Sequence, residues 1–153
     1  MKKIIVFILV LAVCVSLLTS CRTKAIYDEV FARGMEAEAM AKVFTSAIAG
    51  KDYEKAMANV HPDSEITAEA LENLIKSISE EHGITFPQSV RFKVLSYRYI
   101  AKSEDVVVDD EDNATLTKLT IKYKVVIDGV KLKMEAVFLQ NSNGFGIYSY
   151  SLT

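Results

Sequence analysis

LTIKYKVVIDGVKLKMEAVF, residues 119–138, decides the fold. Leu119, Ile121, Tyr123, Val125 and Ile127 alternate with Thr and Lys, and beyond Asp128-Gly129 the alternation resumes at Val130, Leu132, Met134, Ala136 and Phe138. Period two is the period of a strand with one buried face. Asp-Gly between two such runs is the two-residue signal for a type I′ hairpin, and it sets Ile127 opposite Val130. A hairpin with one apolar face and one face of Lys and Thr must be covered on its apolar side.

Further strands flank it. Val90, Phe92 and Val94 alternate with Arg91 and Lys93, and Leu95-Ser96 shifts the phase to Tyr97 and Tyr99, which predicts a β-bulge. Asn141-Ser142-Asn143-Gly144 turns the chain into a last strand, Phe145 to Leu152.

The cover is written earlier in the chain. Met40, Val43, Phe44, Ala47 and Ile48 recur at three and four residues, Gly50 stops that helix and Asp52 caps the next. Tyr53, Ala56, Met57 and Val60 continue the apolar face until His61-Pro62, because a residue before proline leaves the α region. Thr67 is the N-cap of a third helix, with Ile66 and Leu71 as staple, Leu74, Ile75 and Ile78 inward, and Gly83 at its end. The order predicts an α+β domain over residues 35–153, N-terminal helices packed on an antiparallel sheet of about four strands. This element order resembles the cystatin-like or nuclear-transport-factor-2-like cone, in particular small bacterial lipoproteins carrying such domains, and the resemblance implies a curved sheet wrapped on a helix.

Ahead of the domain the composition changes. Lys2 and Lys3 precede IIVFILVLAVCVSLL, residues 4–18, apolar except for Ser16. As a helix these residues reach about 22 Å at ~1.5 Å per residue, short of the ~30 Å hydrocarbon core of a bilayer, so a leader is expected over a permanent span. Leu18-Thr19-Ser20-Cys21 follows at once. It resembles the lipobox of bacterial lipoproteins, which implies diacylglycerol on the Cys21 thiol and cleavage between Ser20 and Cys21. Cys14 would leave with the leader, so the mature chain holds one cysteine and no internal disulfide. The expected organisation is a signal peptide over 1–20, a lipidated tether and short stalk over 21–34 with a helix break at Gly34, and the α+β domain over 35–153. The expected place is the cell envelope, outside the cytoplasm, held to the inner or the outer membrane, or to the surface of a single-membrane cell.

Charge narrows the partners. The chain carries 18 basic and 20 acidic residues, net −2, without the Lys and Arg excess that nucleic acid requires. Loss of Lys2 and Lys3 takes the basic count to 16, about −4. Arg22 and Lys24 stand where they can meet headgroups.

No catalytic group or cofactor is expected. The acidic stretch SEDVVVDDEDN, residues 103–113, fails as a calcium loop: counted from Asp109, the glycine and glutamate positions hold Ala114 and Thr120. It is read as a solvated hairpin tip. His61 and His82 are too few for a histidine-rich metal site, and no metal is expected. Tyr97, Tyr99, Tyr148 and Tyr150 are the candidate partner patch: with Phe145 and Ile147 inward, Tyr148 and Tyr150 should face solvent, whereas the opposite phase would bury them as ordinary core or sheet tyrosines and turn Ser149 outward. The expectation, with the anchor as the lipobox resemblance implies it, is a lipid-anchored, noncatalytic binding or scaffold module of unknown partner, another envelope protein being one candidate. A small apolar ligand between helices and sheet is the alternative, and an isomerase or hydrolase a third.

Overall fold

A computed structural model describes residues 2–91 and 98–152, with side chains over 22–90, 100–102 and 104–152. Helix α1, Lys2–Ala49, is followed by α2, Tyr53–Met57, and α3, Ala68–His82. The strands are β1, Val90–Arg91; β2, Arg98–Ile100; β3, Val106–Val108; β4, Ala114–Leu116; β5, Lys118–Ile127; β6, Val130–Asn141; and β7, Gly144–Leu152.

The β5–β6 hairpin forms in the expected register, Ile127 opposite Val130 and Leu119 opposite Phe138. Asp128 and Gly129 both take positive φ, 48° and 78°, as a type I′ turn requires. One face is dry: Leu119, Ile121, Tyr123, Val125 and Ile127 on β5 meet Leu132, Met134, Ala136 and Phe138 on β6, all buried. β7 pairs antiparallel with β6 on one side. On the other side β1 and β2 share the free edge of β5, Val90 opposite Ile127 and Arg98 opposite Lys122. The described strands thus make a five-stranded sheet with a divided edge, and β3 and β4 form a separate two-stranded ribbon, in place of one sheet of about four strands. The bulge expected at Leu95-Ser96 lies outside the described residues.

α1 runs across the dry face. Its inward stripe is Val30, Gly34, Ala37, Ala41, Phe44 and Ile48, three or four residues apart. Gly34 does not break the helix. It is buried within the inward stripe, where glycine costs the helix ~1 kcal/mol relative to alanine and the helix nonetheless continues. The tether and stalk expected over 21–34 is therefore helical, and its second half is engaged: Glu29 Oε1 accepts the Leu116 amide at 3.3 Å, and Arg33 stands over the Phe145 ring at 5.3 Å. Val43, expected inward, is 39% exposed.

The caps form as read. Asp52 accepts from the Lys55 amide, Thr67 from the Ala70 amide, and Gly83 ends α3 in the left-handed region. α2 is shorter than the pattern reaching to Val60, because the next residues turn to β7. Asn59 O accepts from the Ile147 amide at 2.9 Å and the His61 amide donates to Ile147 O at 2.9 Å, so the outer edge of β7 is occupied. Ser64 Oγ donates to Tyr148 O at 2.7 Å.

Gly146 makes this approach possible. A Cβ there would meet His61 N at 2.8 Å and His61 Cα at 2.9 Å, both backbone atoms. Gly146→Ala should lower the unfolding free energy by about 1–3 kcal/mol through overpacking. Chemical denaturation reads the effect, and a stability equal to wild type would mean that residues 59–61 do not sit on β7.

Candidate functional site

The four tyrosines do not form one surface. Tyr97 lies outside the described residues, and Tyr99 is described only by its backbone, opposite Ile121. Tyr148 is 41% exposed, as expected, but Tyr150 turns inward. The cause is one extra residue in β7: Val137 pairs with Ser149 and Phe138 with Ile147, so Tyr148 has no counterpart on β6. A bulge of this kind inverts the alternation beyond it. Phe145 and Ile147 point in on one side of it, Tyr150 and Leu152 on the other.

Inside, Tyr150 completes a polar cluster. Its ring packs edge-on against Phe44, centroids 4.7 Å apart. Its hydroxyl reaches Thr45 Oγ1 at 3.3 Å, and the Tyr123 hydroxyl reaches the same oxygen at 2.9 Å. Thr45 in turn donates to Ala41 O at 2.7 Å within α1. Burial pushes the Tyr123 phenol up to about 12 despite its hydrogen bonds to Thr45 and Tyr150. Burial also raises Tyr150, and the neighbouring Tyr123 adds to it. Both phenols are thus neutral hydrogen-bonding groups at ordinary pH, and the cluster ties α1 to two strands.

His61, read as a turn residue, is a buried staple. Its Nδ1 accepts from the Asp63 amide at 3.0 Å, which leaves Nε2 as donor toward Asn141 Oδ1 and Gly144 O at 3.1 and 3.2 Å. Asp63 accepts from the side-chain amides of Asn141 and Asn143 at 2.7 and 2.9 Å, and these bonds hold its carboxyl below the usual range. The arrangement locks the loop after α2 onto the β6–β7 turn. The sequence carried one sign of it, the Asn141-Ser-Asn143 turn, but nothing that paired this turn with residue 61.

The acidic stretch uses its own carboxylates. Asp109 accepts from the amides of Glu111 and Asn113 and from the Asn113 side chain, closing the β3–β4 turn. Among the described residues no group of three or more His, Cys, Asp or Glu is placed to hold a metal ion.

The described residues also line surface clefts, two of which bear on the tyrosines. One, of about 360 Å³, lies beside Tyr53, Ile75 and Phe86 with Lys51, Glu72 and Lys76 at its rim; the Tyr53 hydroxyl is buried there without a hydrogen-bond partner among the described residues. The other, of about 300 Å³, lies between Ile66, Ala70 and the Tyr148–Tyr150 bulge. Neither brings a nucleophile to a base. Among the described side chains, the most exposed large apolar ones stand elsewhere: Tyr27 at 68%, Met35 at 57% and Phe31 at 53% on α1, with Val107 at 56% on β3. Tyr27 and Phe31 stack at 6.4 Å. Period alone could have found this stripe, since 27, 31 and 35 are four apart.

No family model and no curated protein matches the chain. Among solved structures it is similar to a de novo designed protein with a curved β-sheet, at TM-score 0.41 and 18% identity over 76% of this chain and 97% of that one. A nuclear-transport-factor-2-like protein from Cytophaga hutchinsonii gives TM-score 0.39 and 16% identity over 74% and 91% of the two chains. A protein from Catenulispora acidiphila gives 0.36 and 11% over 89% and 94%.

The opposite placement of the two tyrosines is measurable. Tyr150→Ser should cost about 2–4 kcal/mol, near the range for truncated core aromatics, whereas Tyr148→Ser should stay within about 0.5 kcal/mol. Equal costs would put both on one face. Alkaline pH probes the cluster separately. Unfolded tyrosine releases its proton near pH 10 and Tyr123 in the fold near 12, so its contribution is complete below 10 and lost between 10 and 12. Denaturation midpoints should therefore fall more steeply over that window for wild type than for Tyr123→Phe, and parallel profiles would contradict the burial of that phenol.

Proposed function

We propose that this chain is a cell-envelope lipoprotein, anchored through lipid on Cys21 after cleavage between Ser20 and Cys21. Its domain is a noncatalytic binding or scaffold module with a cystatin-like or nuclear-transport-factor-2-like form. The observation that carries the reading is Leu18-Thr19-Ser20-Cys21 set directly behind a charged start and a 15-residue apolar run. Two or three acyl chains, at about 0.8 kcal/mol per buried CH₂, make a stable anchor. Side chains at residue 21 and before lie outside those described, and among the described residues no helix is long and apolar enough to cross a membrane.

The noncatalytic part rests on the polar interior. Thr45, His61 and the Tyr123 phenol, buried polar groups among the described residues, are engaged in holding elements together, and the Tyr53 hydroxyl is buried beside a surface cleft. Between α1 and the sheet the described residues bury large side chains, Phe44, Ile48, Tyr123, Met134 and Phe138, which supports the scaffold reading over the apolar-ligand alternative. Surface, then, is what the domain offers a partner.

Metabolic labelling with a fatty acid should mark the wild-type protein, and Cys21→Ser should abolish the mark and leave an uncleaved, slower-migrating chain. Label retained in the variant would remove the anchor assignment.

A further inference from the structure

We propose that the exposed flank of α1 nearest the anchor lies on the membrane surface once the leader is removed, with Tyr27, Phe31 and Met35 seated at the boundary between headgroups and acyl chains. The inference rests on the lipid-anchor reading above and adds an orientation for the domain.

The three side chains cover about 80° of the helix at ~100° per residue. Lys24 falls inside the same arc, one turn before Tyr27. Along α1 they stand about 9, 15 and 21 Å past Cys21, at ~1.5 Å per residue. This arc lies beside the stripe that α1 turns to the domain, which runs through Val30, Gly34, Ala37 and Ala41, and it is left open to water. Three of the four most exposed large apolar side chains among the described residues are therefore gathered within 14 residues of the anchor.

Position selects the occupant. While the leader remains attached, α1 continues unbroken from Lys2, and a helix held upright in the bilayer would leave Phe31 and Met35 in water beyond the headgroups. Cleavage before Cys21 removes that constraint, because acyl chains on a terminal residue do not fix the direction of the helix. The helix can then lie down, and an amphipathic helix at an interface buries its apolar face about 5–10 Å deep. Tyrosine suits that depth, with an apolar ring and a polar tip. The arc also carries Glu38 and Lys42, and Asp28 borders it, so basic and acidic groups balance and apolar area supplies the attraction.

The chain has no tryptophan, so a single introduced one reports its own surroundings. Phe31→Trp and, as control on the exposed β3 ribbon, Val107→Trp would be prepared as full-length, processed lipoprotein in vesicles of phosphatidylethanolamine and phosphatidylglycerol with brominated acyl chains. The indole of the Phe31→Trp variant should emit at shorter wavelength and be quenched roughly twofold or more relative to that of the Val107→Trp control, given that depth. The difference should persist at 1 M salt, where charges farther apart than about 3 Å are screened. Equal, weak quenching in the two variants would overturn the proposal. A blue shift in the Phe31→Trp variant that grows with protein density but is not quenched would also overturn it, assigning the face to a second copy. Fatty-acid content and vesicle flotation on the same sample keep the two readings apart. A labelled, floating Phe31→Trp protein whose indole is unquenched removes only the orientation, whereas an unlabelled protein that fails to float removes the anchor beneath it.

Discussion

The dry face of the β5–β6 hairpin has to be covered, and everything else in the domain answers that demand. Ten alternating positions place apolar side chains on one side of two strands, and the water they exclude is worth roughly 25 cal/mol per Å² of apolar surface removed. α1 joins the same core through Ala37, Ala41, Phe44 and Ile48, all buried. Thr45 then satisfies the two phenols that the cover would otherwise strand, a buried hydroxyl without a partner costing about 1–3 kcal/mol.

Much of this was legible because it is periodic. The hairpin register, the Asp128-Gly129 turn, the caps at Asp52 and Thr67 and the stop at Gly83 each follow from residues adjacent in sequence. What escaped was set by single residues acting at a distance. The bulge at Tyr148 leaves alternation intact on both sides of itself, so phase read forward from Ile147 puts Tyr150 on the wrong face. Gly34 looks like a helix stop locally, yet it is buried within a helix that continues through it. The contact of residues 59–61 with β7 depends on Gly146, far along the chain, and no local pattern announces it.

The candidate site divides along the same line. At Cys21 the sequence offers a contiguous pattern, an apolar run, two small residues and a thiol, while that side chain lies outside those described. The tyrosine surface was inferred from strand phase and came apart with it: one member entered the core, another stayed at the surface beside Ile66 and Ala70. Exposed apolar area gathers instead on α1 at 27, 31 and 35, a four-residue spacing that the denser inward pattern over 40–48 overshadows. His61 illustrates the remaining gap, since its role comes from a turn much later in the chain whose asparagines meet Asp63.

The seat of Asn59–Ser64 along β7 has a meaning beyond packing. An open strand border presents unpaired amides and carbonyls to any neighbour, a template for strand-to-strand joining between copies. Here the Ile147 amide and carbonyl are already taken by Asn59 and His61, and the Tyr148 carbonyl by Ser64. A second copy meeting this edge thus finds it closed at Ile147 and Tyr148, and one short loop withholds those groups from strand-to-strand joining.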